Sequence, residues 1–214
     1  MSLHHEVNFE AEIVEHLGAN GWFYAEGDAA HYDRKLALFP PDLIAWVQET
    51  QPNAWETLQN NHGSKAAETL LQRLRSQLDL IGTLDVIRNG VELLGLSKAL
   101  KLAEFKPALG LNPEILARYK ANRLRVVRQV RYSLHNENSI DLVLFLNGIP
   151  VATAELKTDN TQSIEDAIWQ FKKDRNPKPP GQTPEPLLTF PSGALVHFAV
   201  SNREVRMTTR LAGF

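Results

Sequence analysis

The stretch that most constrains the fold is 140–157, where two β-rich runs, IDLVLFL (140–146) and IPVATAELK (149–157), flank Asn147-Gly148. Asn-Gly between such runs is a strong hairpin signal, because both residues tolerate the positive φ that a tight turn needs. The hairpin also decides which polar side chains can meet. Successive strand residues point to opposite faces, so Glu155 and Lys157 share one. A two-residue turn would pair Leu146 with Ile149 and send Asp141 to the other face. A three-residue loop, with Gly148 in the left-handed region as a G1 bulge, would pair Phe145 with Ile149 and set Asp141 one diagonal step from Glu155. The sequence therefore predicts positive φ at Gly148 or, failing that, a bulge elsewhere between 141 and 155 that shifts the register by one.

Around the hairpin the pattern alternates between helical and extended. Phe9, Ile13 and Leu17, with Val14 beside them, predict a helix over 8–19 ended by Asn20-Gly21, and 22–24 reads as a short strand. From Pro40 to about residue 80 the spacing is helical, through Leu43/Trp46/Val47 and Leu70/Leu71/Leu74/Leu78. Asn112-Pro113 reads as an N-cap with proline at the first helical position, opening a helix to about 122. The run 124–132 (LRVVRQVRY) is strand-like. Ser163 and Asp166 resemble a capping box, opening a helix with Ile164, Ala167, Ile168 and Phe171 inward. A proline-rich exposed loop over 177–186 precedes two more strands, 195–200 and about 205–208. The expectation is one α/β domain over 1–214, its core drawn from roughly 1–37 and 123–214 and a helical insertion from roughly 38–122.

Several chemistries are excluded. With no cysteine there is no disulfide, Cys-ligated zinc or thiol nucleophile. No G-x-x-x-x-G-K-[ST] is present, so no ATP site of the P-loop kind is expected, and no H-E-x-x-H is present either. Net charge is −2, so nucleic-acid affinity has to come from local basic patches. The N-terminus lacks the pattern of a signal peptide and no apolar run is long enough to span a bilayer, which implies a soluble, cytoplasmic protein without membrane partners.

One positive signal is left. Acidic-x-Lys occurs three times, at Asp33-Arg34-Lys35, Glu104-Phe105-Lys106 and Glu155-Leu156-Lys157. The first two read as solvated charge. The third lies in a buried-looking strand beside Val151, Ala152 and Ala154, with Asp141 on the partner strand. Charges in such company are costly unless paired or bound to metal. Spacing alone supports two readings: a buried ion pair closing the hairpin, or a site in which two carboxylates hold Mg²⁺ and a lysine supports hydrolysis.

The stretch 122–133, then DLVLFLNGIPVATAELK (141–157), EDAIWQFKKDR (165–175) and HFAVSNREVRMTTRLAGF (197–214), resembles the N-terminal PD-(D/E)xK nuclease domain of type I restriction enzyme R subunits. LFPPDLIAWVQETQPNAWETL (38–58) fits the same family. The resemblance implies a restriction-endonuclease-like mixed sheet flanked by helices, Mg²⁺-dependent cleavage of double-stranded DNA, and a complex with methylation and specificity subunits. The ATP-driven motor of such subunits would lie outside this chain. Residue by residue, it implies Asp141 and Glu155 as metal ligands, Lys157 as the catalytic lysine, and Gln170 as the glutamine of a Gln-x-x-x-Tyr motif. Asp174 stands where that motif has tyrosine. Glu10 is a further candidate ligand from the first helix.

Basic residues supply candidate DNA contacts: Arg123, Arg125, Arg128 and Arg131 on one strand, and Lys172, Lys173, Arg175 and Lys178 after the Gln170 helix. Strand-edge charge that blocks aggregation is the alternative for the arginines. Two other functions fit the same residues: a catalytically silent DNA-binding or subunit-docking module, and a stand-alone repair or junction nuclease. The helical insertion disfavours the latter.

Overall fold

A computed structural model describes residues 2–158 and 163–211. Its centre is a five-stranded sheet in sequential order: β1 (Leu124–Arg131), β2 (Ser139–Leu146), β3 (Ile149–Lys157), β4 (Val196–Ser201) and β5 (Val205–Thr208). All neighbours are antiparallel except β3 and β4, which run parallel. Parallel neighbours need a crossover, and α7 (Ile164–Lys173) supplies it. The sheet is thus mixed, flanked by helices and joined by an inserted helical region, a restriction-endonuclease-like α/β fold.

Alternation along the strands builds two apolar layers. On one face α1 (Ser2–Ala19) lays Val14, Phe9, Ile13 and Leu17 against Val126, Leu142, Ala154 and Leu156. On the other, Val127, Val143 and Phe145 pack with Tyr32, Phe39, Phe171 and Leu187. The predicted capping box is formed: Asp166 accepts from the Ser163 backbone N–H at 2.7 Å, starting α7, whose Ile164 and Ala167 bury against Ala199 of β4.

The inserted region comprises α2 (Pro40–Thr50), α3 (Pro52–His62), α4 (Ala66–Ile81), α5 (Thr83–Asn89) and α6 (Pro113–Lys120). Proline at the first position of α2, α3 and α6 favours their starts, where no N–H is missed. Asn112 caps α6 by accepting from the N–H groups of Glu114 and Ile115. Trp46, Leu58, Leu70, Leu74 and Leu78 form a separate core that reaches the sheet at Ile149. Arg125 of β1 ties this region down through Asp42 of α2 and through Asp28.

Three expectations are corrected. The first helix begins at Ser2, well before residue 8. The segment 22–24 makes only one bridge, Phe23 to Arg125, before the chain turns away. The three-residue hairpin loop is also absent. Asn147 (φ 49°) and Gly148 (φ 79°) form a two-residue turn, and Leu146 pairs with Ile149. Phe39 fixes glycine at this position: its N–H donates to the Gly148 carbonyl at 2.8 Å, and a Cβ on Gly148 would collide with the Phe39 oxygen. The one-residue shift occurs further along. Phe145 pairs with Pro150, but Leu144 pairs with Ala152, leaving Val151 as the extra residue. Pro150 has no N–H to give the ladder, so the bulge forms where a hydrogen bond was already missing.

Candidate metal centre

That bulge brings the carboxylates together. Beyond the last pair, Leu142 with Ala154, the next rung sets Asp141 across from Glu155, and opposed residues share a face. The ladder stops there and the strands part. In its place the Asp141 carboxylate accepts the backbone N–H of Leu156 at 2.7 Å. Glu155 is fully buried, half-buried Asp141 lies beside it, and Lys157 comes next on the same face, 9% exposed.

The electrostatics match this crowding. Burial pushes the Glu155 carboxyl up to about 8, and the neighbouring Asp141 charge adds to that, against the pull of Arg175. Arg175, just past the end of α7, donates Nε–H to Glu155 Oε1 at 2.7 Å and Nη2–H to the Ser139 carbonyl at 2.8 Å. Its guanidinium lies 5.8 Å from the centre of the Tyr132 ring. The second oxygen of Glu155, Oε2, is buried without a hydrogen-bond partner.

Gln129 bounds the other side. It lies across from Asp141 on β1 and has φ 50°, rare for a residue with a side chain. Its amide donates to Asp141 Oδ1 at 3.3 Å and to Glu10 Oε2 at 3.4 Å, and accepts from Ser139 Oγ at 3.3 Å. Glu10 itself is held by Arg128, Nε at 3.0 Å and Nη2 at 3.1 Å. It therefore stands one hydrogen-bonded residue away from the carboxylate pair.

A hard divalent cation fits the donors at this point: a buried, unpartnered carboxylate oxygen beside a second carboxylate. Among the described residues no group of three or more His, Cys, Asp or Glu side chains could hold a metal. Its other ligands would be backbone carbonyls and water, a habit of Mg²⁺.

The remaining candidates lie elsewhere. Arg125 is engaged by Asp42 at 2.5 and 3.0 Å and by Asp28 at 2.7 Å, its guanidinium 4.8 Å from the Phe39 ring centre. Arg123 faces Glu49 at 3.2 Å and exposed Arg131 faces Glu137 at 2.9 Å. Lys172 and Lys173 are exposed on α7, where Lys173 lies 4.3 Å from the Trp169 ring centre, and Lys178 is exposed on the loop beyond. Gln170 is half-buried one turn before Arg175, and its carbonyl accepts the Asp174 and Arg175 N–H groups. Asp174 is exposed and presents its backbone carbonyl to the Tyr132 hydroxyl at 3.5 Å. The proline-rich loop is exposed at 178 and over 180–184, with Pro177, Pro179 and Pro186 half-buried, and Glu185 is buried and accepts from Ser133 Oγ and the Leu134 N–H.

Sequence reasoning missed Gln129, the Glu155 partnership of Arg175, and Tyr132. One signal was available: the doublets Val126-Val127 and Arg128-Gln129 break strict alternation inside a strand, which marks a local backbone distortion. Nothing local foretold Arg175, whose partner lies twenty residues away.

No described helix is long and apolar enough to cross a membrane. Residues 212–214, within the last stretch of resemblance, lie outside the described residues. Neither a curated protein nor a solved structure matches the chain. One family model, described as the type I restriction enzyme R protein N terminus, matches residues 6–214. With nearly its whole length matched and a restriction-endonuclease-like fold, the chain belongs to the family of N-terminal domains of type I restriction enzyme R proteins.

Proposed function

We propose that this domain cleaves DNA by Mg²⁺-dependent phosphodiester hydrolysis within a type I restriction-modification complex. The observation that carries the reading is the bulge at Val151 and the pairing it produces: Asp141 across from Glu155, with Glu155 Oε2 buried and unpartnered. Asp141 and Glu155 would hold the cation. When bound, Mg²⁺ lowers the pKa of a coordinated water and stabilises charge on the phosphate. Lys157, on the same strand face as Glu155, would place its ammonium toward the attacked phosphate, adding a positive charge where negative charge develops. Lys172 and Lys173 would meet the DNA backbone; exposed lysines on one helix face supply sequence-independent affinity. Arg123 and Arg125 are occupied by carboxylates, so the weight of DNA contact falls on the α7 side. Membership of the R protein family supports DNA, methylation and specificity subunits as partners, with ATP used outside this domain.

The test is nicking of supercoiled plasmid by the complete enzyme, with and without Mg²⁺. Cleavage should require Mg²⁺ and fall at least a thousandfold in Asp141→Ala, while ATP-driven translocation stays intact. Wild-type cleavage by Asp141→Ala would overturn the assignment.

A further inference from the structure

Glu155 is the most buried carboxylate at the site, and its two oxygens differ. Oε1 is held by Arg175, whereas Oε2 has no hydrogen-bond partner. Arg175 is 6% exposed and held on three sides: by Glu155, by the Ser139 carbonyl of β2, and by the Tyr132 ring. Tyr132 is in turn buried, with its hydroxyl directed at the Asp174 carbonyl. A planar guanidinium bonded through Nε to one oxygen and through Nη2 to a backbone carbonyl has little freedom, because its fork of donors is rigid. A flexible ammonium would leave the carboxylate free to rotate.

We infer that Arg175 is a positioning residue: it locks Oε1 of Glu155, so that Oε2, beside Asp141, is the oxygen offered to a cation. This rests on the reading of Asp141 and Glu155 as metal ligands. In this account Arg175 stays bonded to Oε1 when the cation is present and contributes no ligand itself. Tyr132, just past the end of β1, backs the guanidinium.

Charge alone predicts the opposite of positioning. Removing a cation from beside the site favours metal binding, by Coulomb's law. Loss of Arg175 also removes the pull that lowers the Glu155 pKa, so weaker binding isolates the positioning effect where it persists at a pH well above that pKa.

The experiment tracks the Arg175 Nε–H resonance of this chain by NMR during titration with Mg²⁺, with Asp141→Ala as control. The expected result is a resolved, slowly exchanging Nε–H signal that persists at saturation, with no Mg²⁺ binding by Asp141→Ala. Loss of that signal as Mg²⁺ binds in an Asp141-dependent manner would mean that the cation displaces Arg175. That outcome overturns the inference and leaves the metal site standing. Mg²⁺ binding that is absent, or equal in Asp141→Ala, would overturn the underlying reading and the inference with it. In calorimetry, Arg175→Met should bind Mg²⁺ at least tenfold more weakly than wild type, with Arg175→Lys between them. Unchanged or tighter binding by a folded Arg175→Met would also overturn the positioning role.

Discussion

The two ends of the β2–β3 hairpin are built from similar residue types and finish differently. At the turn end the Asn147 side chain and the Gly148 carbonyl are both hydrogen-bonded. Asn147 accepts from the Arg123 N–H at 2.6 Å and donates to the Leu102 carbonyl and Asn122 Oδ1, both at 2.9 Å, while the Gly148 carbonyl accepts from Phe39. At the open end the strands part, Gln129 adopts a left-handed backbone, and a buried carboxylate oxygen has no partner. Leaving a buried polar group unpaired costs about 1–3 kcal/mol, more for a charged one. At the open end the unpartnered Glu155 oxygen stands beside Asp141, which is where we propose that a cation binds. The Val151 bulge separates the two ends: it lets a tight, hydrogen-bonded turn coexist with a carboxylate pair that a regular hairpin would have split between faces.

Breaking the turn end should have the larger effect on stability. Gly148→Ala introduces a Cβ that collides with the Phe39 oxygen and lies 2.9 Å from the Leu43 Cβ, at φ 79°. We expect a loss of roughly 2–4 kcal/mol, the range for overpacking added to backbone strain, measured by urea denaturation. A cost within about 0.5 kcal/mol would show that the turn is not the rigid anchor described.

Midway along the hairpin, Thr153 of β3 and His197 of β4 sharpen the comparison. Thr153 Oγ1 meets His197 Nδ1 at 2.8 Å, and burial holds the His197 pKa down, at about 4. In the unfolded chain histidine titrates near 6.5. Between those values the unfolded state binds more protons, so stability should be intact above about pH 6.5 and fall as the pH drops toward 4. The slope is about 1.4 kcal/mol per pH unit within the window. His197→Gln should lack this component; an unchanged pH profile in that variant would remove His197 as its source.

Much of this was legible in the sequence because it is local. Asn147-Gly148, Asn112-Pro113 and Ser163 with Asp166 each act within four residues, and each element forms as its signals indicate. Glu155 and Lys157 share a face by strand periodicity alone. The turn length was misjudged because parity demanded one extra residue and glycine looked the natural place for it. Phe39 packs over Gly148 and requires glycine there, while the bulge falls at Val151, next to Pro150, which already lacks an N–H. The inward role of Arg175 was not legible, since in sequence it closes a basic run with Lys172 and Lys173. Only the fold sets it against Glu155 and Tyr132.

The most direct measurement is thermal melting of this chain against Mg²⁺ concentration, for wild type and Glu155→Gln. A ligand that binds only the folded state stabilises it by about 2.7 kcal/mol at a hundred times its Kd. Wild type should therefore melt progressively higher as Mg²⁺ is added. Glu155→Gln, which leaves the buried Arg175 without its ionic partner, should melt lower than wild type without Mg²⁺ and should not respond to it. A wild type indifferent to Mg²⁺, or a Glu155→Gln variant stabilised to the same degree, would contradict a cation site between Asp141 and Glu155.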